Sequence, residues 1–373
     1  MHDLHRHPIR RLVAVLASFW FVFLKGTVFT ARSVVVLFMV FSSVGFLFSL
    51  HTVNAAASDI YIAQSATGTV NGADCNDAYA VSFFNTSSNW ASTSTSGKIS
   101  PGVTVHLCGI ITSVLTAQGS GSSGSPITIL FEAGAKLSSP AWPSTGAFVV
   151  NGKNYITIDG GTNGIIENTA NGGNLTNQVD SLGVLITGCK GCIVHGLTIQ
   201  NIYVQGSAAG TLGTCLEVLD SSSIHIHHNT ESTCGYTGEA YSFTAATTFS
   251  SVEFDHETYS NNCAAFKATD SGNNSHLTGF SWHDNDVTLP GNTYAPETAC
   301  HVNGIHIFMV NAASSFTDGG LFYNNYIHGD IGGHSTAYMF FENTVATANV
   351  NPNVFNNLFV NTNNADAPSN GFV

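Results

Sequence analysis

A pair of apolar residues two positions apart, followed by polar residues that often include asparagine, recurs along the chain. It reads ITIDGG at 156–161, CIVHGLTI at 192–199, IHIHHNTE at 224–231, VEFDHETY at 252–259, FSWHDNDV at 280–287, GLFYNNYI at 320–327 and PNVFNNLF at 352–359. Aligned on the second apolar residue, the copies fall at Ile158, Val194, Ile226, Phe254, Trp282, Phe322 and Val354, with spacings of 36, 32, 28, 28, 40 and 32; the last two could slip by one residue. Upstream of most copies lies another short run, such as CLEVLD (215–220), AYSFTA (240–245), AAFKATD (264–270) or NGIHIF (303–308), and downstream a third, such as LTIQN or DVTLP. Period-two alternation predicts strands, and no segment carries a helical period. Three short strands per repeat can bury their apolar sides only by stacking on neighbouring repeats. The expected architecture is all-β, a solenoid of three-strand coils.

Alternation also assigns faces. In the second strand of each coil, Asp159, His195, His227, Asp255 and His283 point out, with His225 and Glu253 among the outward positions two residues earlier. Rungs ~4.8 Å apart, with i and i+2 ~6.6 Å apart, place His225, His227, Glu253 and Asp255 in a rough rectangle. Imidazole with carboxylate suits a divalent metal, although a site needs about four donors converging on one point. A solvated face with histidine beside acid on neighbouring rungs is the other reading. His228, His256, Asp284 and Asn324 fall in the following turn, where backbone hydrogen bonding is expected. In the first strand, alternation sets Leu185, Glu217, Ser242, Lys267 and His306 in one outward column, and Thr187, Leu219, Thr244, Thr269 and Phe308 in the next. Asp220 and Asp270 lie at strand ends, and His301 and Asn303 at the rim.

Composition narrows the setting. Two apolar runs, 12–24 and 34–50, precede HTVNAAAS, where Ala55 and Ala57 sit at the small-residue positions of a cleavage site. Residues 1–57 therefore read as a signal peptide or hydrophobic export segment, with a start codon further in, and a two-segment membrane anchor as the alternative. Residues 58–100 read as an N-terminal extension and cap, and 101–373 as the solenoid. All eight cysteines follow the cleavage site, which fits disulfides in an exported chain; Cys189 and Cys192 suggest a disulfide or a tight turn. From Ser58 onward there are five lysines, no arginine and 22 acids, a net charge of −17. Nucleic acid needs cationic contacts to phosphate and is excluded as a partner. A polyanionic glycan would be repelled unless a cation such as calcium bridged it. The expected protein is a secreted, extracellular or periplasmic monomer with no stable membrane association after cleavage.

The repeated apolar-x-apolar-x-x-Asn units, best in His228-Asn229, Asp284-Asn285, Asn324-Asn325 and Asn356-Asn357, resemble the secreted right-handed parallel β-helix proteins of the pectate-lyase-like superfamily. The segment 98–137 also looks like the first coils of members that act on polysaccharides. The resemblance covers roughly 100–362 and implies an asparagine ladder at the turn between second and third strands. It also implies a polysaccharide groove over the outer face of the first-strand sheet, whose candidate catalytic residues here are Glu217, Lys267, His306 and Asp270, with His301, Asn303 and Asp220 as substrate-binding residues.

Two mechanisms are open. A lyase needs a base to take the proton α to a uronate carboxylate. The pectate lyases that the chain resembles typically use arginine, which is absent from Ser58 onward, so Lys267 or His306 would serve; a groove lysine beside carboxylates is expected to stay protonated, and the other reading is that it only balances Glu217 and Asp270 as a surface ion pair of little worth. A hydrolase needs two carboxylates about 5–9.5 Å apart, for which Glu217 with Asp270 or Asp220 are candidates. A non-catalytic cell-surface or glycan-binding β-helix is the alternative to either enzyme. His328, Asp330, His334 and Glu342 form a further polar cluster, read as turn chemistry or a calcium site.

Overall fold

The computed structural model describes residues 59–170, 180–202, 213–291, 302–332 and 337–363. The segment 1–57, expected to serve export, and His301 and His334 lie outside them. Among the described residues three sheets of 12, 9 and 8 strands run parallel throughout, and successive coils add strands to each sheet in turn. Parallel crossover connections are right-handed in nearly all proteins. The protein is a right-handed parallel β-helix.

The repeat found in the sequence sets the register. Ile158, Val194, Ile226, Phe254, Trp282, Phe322 and Val354 are successive partners along the second-strand sheet, with no slip in the last two. The first six fill the interior at 1% exposure or less. Where coils shorten to 28 residues, the column changes from aliphatic to aromatic: Phe254, Phe266, Phe280 and Trp282 pack with ring centroids 4.8 to 6.3 Å apart. Burial of each such ring contributes on the order of 2–3 kcal/mol.

The turn after each second strand is left-handed. His228, His256, Asp284, Asn324 and Asn356 hold φ between 54° and 57°. In the preceding coil the same place is taken by Gly196 at φ 69°, which adopts it without steric cost. The residue after the turn points in and builds a ladder of side-chain bonds. Asn229 Oδ1 accepts from the Leu197 amide at 3.0 Å, Asn285 Oδ1 from the Glu257 amide at 2.9 Å, and Asn325 Oδ1 from the Asn285 amide at 3.1 Å. Glu257 occupies a slot between Asn229 and Asn285, so one rung of the ladder is an acid.

The sheet begins before residue 101, since the strand Ile60–Ala63 pairs with Thr104–Cys108. A short helix, Val81–Phe84, buries Phe84 against Trp90 at a centroid distance of 5.0 Å. Disulfides join Cys75 to Cys108, Cys189 to Cys192 and Cys215 to Cys234. Cys263 is also disulfide-bonded, to a partner outside the described residues. Such bonds fit an extracellular, oxidising setting. No helix among the described residues is long and apolar enough to cross a membrane.

Candidate active site

The first-strand sheet carries one outward column through Leu185, Glu217, Ala240, Lys267, His306 and Phe340. Glu217, Lys267 and His306 thus share one floor. The column corrects one rung of the sequence reading: Ala240 takes the place expected for Ser242, which sits in the second column between Leu219 and Thr269. A shift of two residues keeps every side chain on its face, so alternation cannot detect it. The strand is Thr237–Phe243, starting three residues earlier than the apolar run suggests.

Ala240 leaves a gap between Glu217 and Lys267. Tyr236, at the end of the loop that Cys234 anchors, puts its ring 3.4 Å from Lys267 Nζ, measured to the ring centroid. Among the described residues no carboxylate lies within ion-pair distance of this amine. The ion pair expected with Glu217 and Asp270 is therefore not formed. Lys267 is 7% exposed, and burial pushes its pKa down from 10.5 to about 7. This overturns the expectation that the groove lysine stays charged. Burial also raises the Glu217 carboxyl, against a hydrogen bond from Ser242. Burial and the Glu217 charge together raise the Tyr236 phenol.

His306, on the rung beside Lys267, is held between Phe308 and Phe340 with ring centroids 5.1 and 4.8 Å away. Its Nε2 lies 3.2 Å from Glu342 Oε2. Glu342 thus joins the groove instead of the turn cluster expected with His328 and Asp330. His328 pairs with Asp286 at 2.8 Å, and Asp330 accepts from the Gly332 amide at 2.9 Å.

Three other candidates do not line the floor. Asp270 is turned inward with Phe266 and Ala268, and its two oxygens accept from the amides of Val310 at 2.6 Å and Asn311 at 3.0 Å. Asp220, two coils earlier and half-buried, likewise holds the following coil, accepting from the Thr244 amide at 2.6 Å and hydroxyl at 2.5 Å. Both carboxylates hold backbone where the first strand ends. Asn303 is fully buried, and its Oδ1 accepts from the Ala337 amide at 3.1 Å; it is interior, not rim.

The second-strand face forms the expected rectangle, with His225 opposite Glu253 and His227 opposite Asp255. His225 Nε2 lies 2.5 Å from Asp255 Oδ1 and 4.0 Å from Glu253 Oε2. His256 Nδ1 lies 2.6 Å from the other oxygen of Asp255, and His283 bridges Glu253 at 2.9 Å and Asp284 at 2.7 Å. Two groups here place donor atoms as a metal would need them: His225, Glu253 and Asp255, and His228, Asp255 and His256. His227 belongs to neither group, although its Nδ1 lies 3.0 Å from His228 Nδ1 and its ring centroid 4.2 Å from that of His225. It stacks on His195, and burial first, then its neighbours His225 and His195, push its pKa down to about 4. The groups able to hold a divalent cation therefore include three of the four residues proposed, with His228 and His256 added.

Sequence reasoning missed Tyr236 and Glu342. Tyr236 lies in a loop, where periodicity does not say which way a side chain points. Glu342 was within reach, because carrying the outward columns one rung further along AYMFFE places Phe340 and Glu342 on the groove.

No protein-family model and no curated protein matches the chain. Among solved structures it is similar to the pectate lyase Pel9A (13% identity, TM-score 0.46, covering 79% of each chain). It is similar to an alginate lyase from Paenibacillus sp. str. FPU-7 (11% identity, TM-score 0.45, covering 84% of this chain and 97% of that one). A third is the GH136 lacto-N-biosidase from Eubacterium ramulus (9% identity, TM-score 0.37, covering 89% and 72%). At this distance the likenesses concern the fold, and the chemistry has to come from the groove itself.

Proposed function

We propose that the protein binds and cleaves a uronate-containing polysaccharide by β-elimination in the first-strand groove, with Lys267 as the base. The observation that carries this is a lysine held out of water, facing an aromatic ring and no carboxylate. With a pKa of about 7, half of Lys267 is the free amine at neutral pH, against roughly one in three thousand for an ordinary lysine. A general base works best with its pKa near the operating pH.

In the step proposed, Lys267 Nζ takes the C5 proton of the uronate. The C5 electron pair forms the C4–C5 double bond, the C4–O bond breaks, and the departing glycosidic oxygen takes a proton. Tyr236 is a phenol kept protonated by its raised pKa, in contact with Lys267, and is the donor at hand. The uronate carboxylate needs hydrogen-bond donors. The His306 imidazole stands ~4.8 Å from Lys267 on the adjacent rung, and Glu217, whose carboxyl burial pushes upward, lies two rungs from Lys267 on the other side. Phe308 and Phe340 offer apolar faces for sugar rings. The chain's negative charge opposes a polyuronate at long range, but that repulsion is screened beyond about 10 Å. Among the described residues the clusters of three acidic or imidazole groups able to hold a metal lie outside the floor.

A hydrolase has less support. Among the described residues the floor carboxylates are Glu217 and Glu342, four rungs and so ~19 Å apart, well beyond the separation that glycoside hydrolysis uses. The test is incubation with a panel of polyuronates and neutral glycans, read by the ultraviolet absorbance of the unsaturated uronate. Absorbance from at least one polyuronate, lost in Lys267→Arg, is the expected result. Reducing ends without that absorbance point to hydrolysis and defeat the assignment; binding without cleavage points to the non-catalytic alternative.

A further inference from the structure

Behind the groove floor, inside the coil, three glutamates converge. Glu231 lies on the third strand Thr230–Ser232, Glu239 on the first strand Thr237–Phe243, and Glu257 in the ladder. Their exposures are 0, 0 and 1%. One oxygen from each lies within 4.8 Å of the others. The neighbouring rungs hold Ile199 and Tyr259 at the position of Glu231, and Leu216 and Phe266 at that of Glu239. Glu231 and Glu239 thus stand in columns that are otherwise apolar, and Glu257 stands between Asn229 and Asn285 in the ladder.

Hydrogen bonds account for part of the cluster. Glu257 accepts from the Asn229 backbone amide at 2.9 Å and from its side-chain amide at 3.1 Å. Glu239 Oε2 accepts from the Tyr259 hydroxyl at 2.5 Å. Glu239 Oε1 has no hydrogen-bond donor, and the oxygens of Glu231 have none beyond its own backbone amide and the neighbouring acid Glu257. A fully enclosed carboxylate without a donor costs several kcal/mol if ionised. Glu231 is therefore a buried side chain aimed at its fellow acids with nothing on them to meet it except a shared proton or a cation.

The donor set distinguishes cations. It is all oxygen, with no imidazole or thiolate, which selects hard ions over zinc or copper. Magnesium keeps several of its waters, and a sealed apolar column has no source of them. Calcium accepts mono- and bidentate carboxylates at about 2.3–2.6 Å, so that any two of its ligands lie within roughly 5 Å of each other, a limit that these oxygens meet. We infer that Glu231, Glu239 and Glu257 form an internal calcium site. It is separate from the groove, does not depend on the lyase reading, and is filled as the coil closes, because the folded wall is shut.

The experiment refolds the full chain from denaturant in calcium, in a chelator, or in terbium. After desalting, wild type refolded in calcium is expected to hold one ion per chain and to melt at least ~5 °C above the chelator-refolded protein. Glu231→Gln should hold less than a tenth of that, with no melting difference between the two conditions. Trp282 Nε1 reaches the Tyr259 hydroxyl at 3.4 Å, so terbium luminescence excited through tryptophan should fall about tenfold in Trp282→Phe. Glu253→Gln, on the outer face, should keep both ion and luminescence. Wild type that holds no ion and melts alike in calcium and chelator overturns the site and leaves the shared proton; that comparison needs no variant to fold. An ion retained in Glu231→Gln but lost in Glu253→Gln overturns it in favour of the outer face.

Discussion

Replacing Lys267 with methionine is expected to stabilise the protein while abolishing its chemistry. The amine is buried over the Tyr236 ring without an anionic partner, and its pKa drops from 10.5 to about 7 on folding. The unfolded chain therefore holds this proton more tightly than the folded one. Stability rises with pH wherever the unfolded lysine is protonated and the folded one is not, a window from pH about 7 to 10.5. The slope there is at most about 1.4 kcal/mol per pH unit. The penalty for burying the lysine is complete below the window and amounts to roughly 4 kcal/mol at pH 7. Methionine is flexible, apolar and of similar length, so Lys267→Met should gain about 1–4 kcal/mol at pH 7, with the gap closing toward pH 10. Guanidinium unfolding of both proteins between pH about 6 and 9 measures it. Buried acids with raised pKa values, such as Glu217, make the opposite contribution and cancel in the difference. Equal stability at pH 7, or a gap that does not shrink at higher pH, would refute the claim that this amine is held neutral by its surroundings.

Other consequences are open to measurement. The rate of polyuronate cleavage should rise with pH through about 7 and then level off, as expected for a base that must lose its proton, and Lys267→Arg should lose 10²–10⁴-fold in kcat because guanidinium does not deprotonate. His227 should titrate near 4 and His283 above 6.5 by NMR; burial opposes protonation at both, but at His283 the bonds to Glu253 and Asp284 outweigh it. A His227 midpoint above 6 would show that the stacked face is open to water. Asn285→Ala removes the acceptor for the Glu257 amide and should cost about 1–3 kcal/mol in unfolding free energy. Replacing Cys215 and Cys234 by serine opens a loop of 19 residues; it should cost about 3 kcal/mol and lower kcat, because Tyr236 follows that anchor.

The fold was legible because its physics is periodic. One apolar residue per coil had to face the axis, and all seven proved to be register partners. The groove was legible to the extent that parity sets a face, which brought Glu217, Lys267 and His306 together but slipped Ser242 by one pair. What alternation cannot carry is enclosure. Whether Lys267 meets a carboxylate or a ring depends on Tyr236, in a loop with no period. Whether Asp270 is chemistry or scaffold depends on the backbone of the following coil, whose amides at Val310 and Asn311 take both its oxygens. Glu231 and Glu239 break the binary pattern outright. An acid at an inward position reads as a misplaced strand until the column around it is seen.

The ladder from Asn229 through Glu257 and Asn285 to Asn325 and Asn357 has a bearing on how the coil comes apart. In a solenoid each repeat touches only its neighbours, so unfolding can begin at either end and move inward one coil at a time. Side-chain amides that each bond the preceding coil's backbone raise the free energy of every such step by a similar amount. Glu257 is the one link whose strength depends on charge. A proton or cation gained or lost there changes the coupling between the coils before it and those after it, so unfolding can pass from a single transition to two at that link.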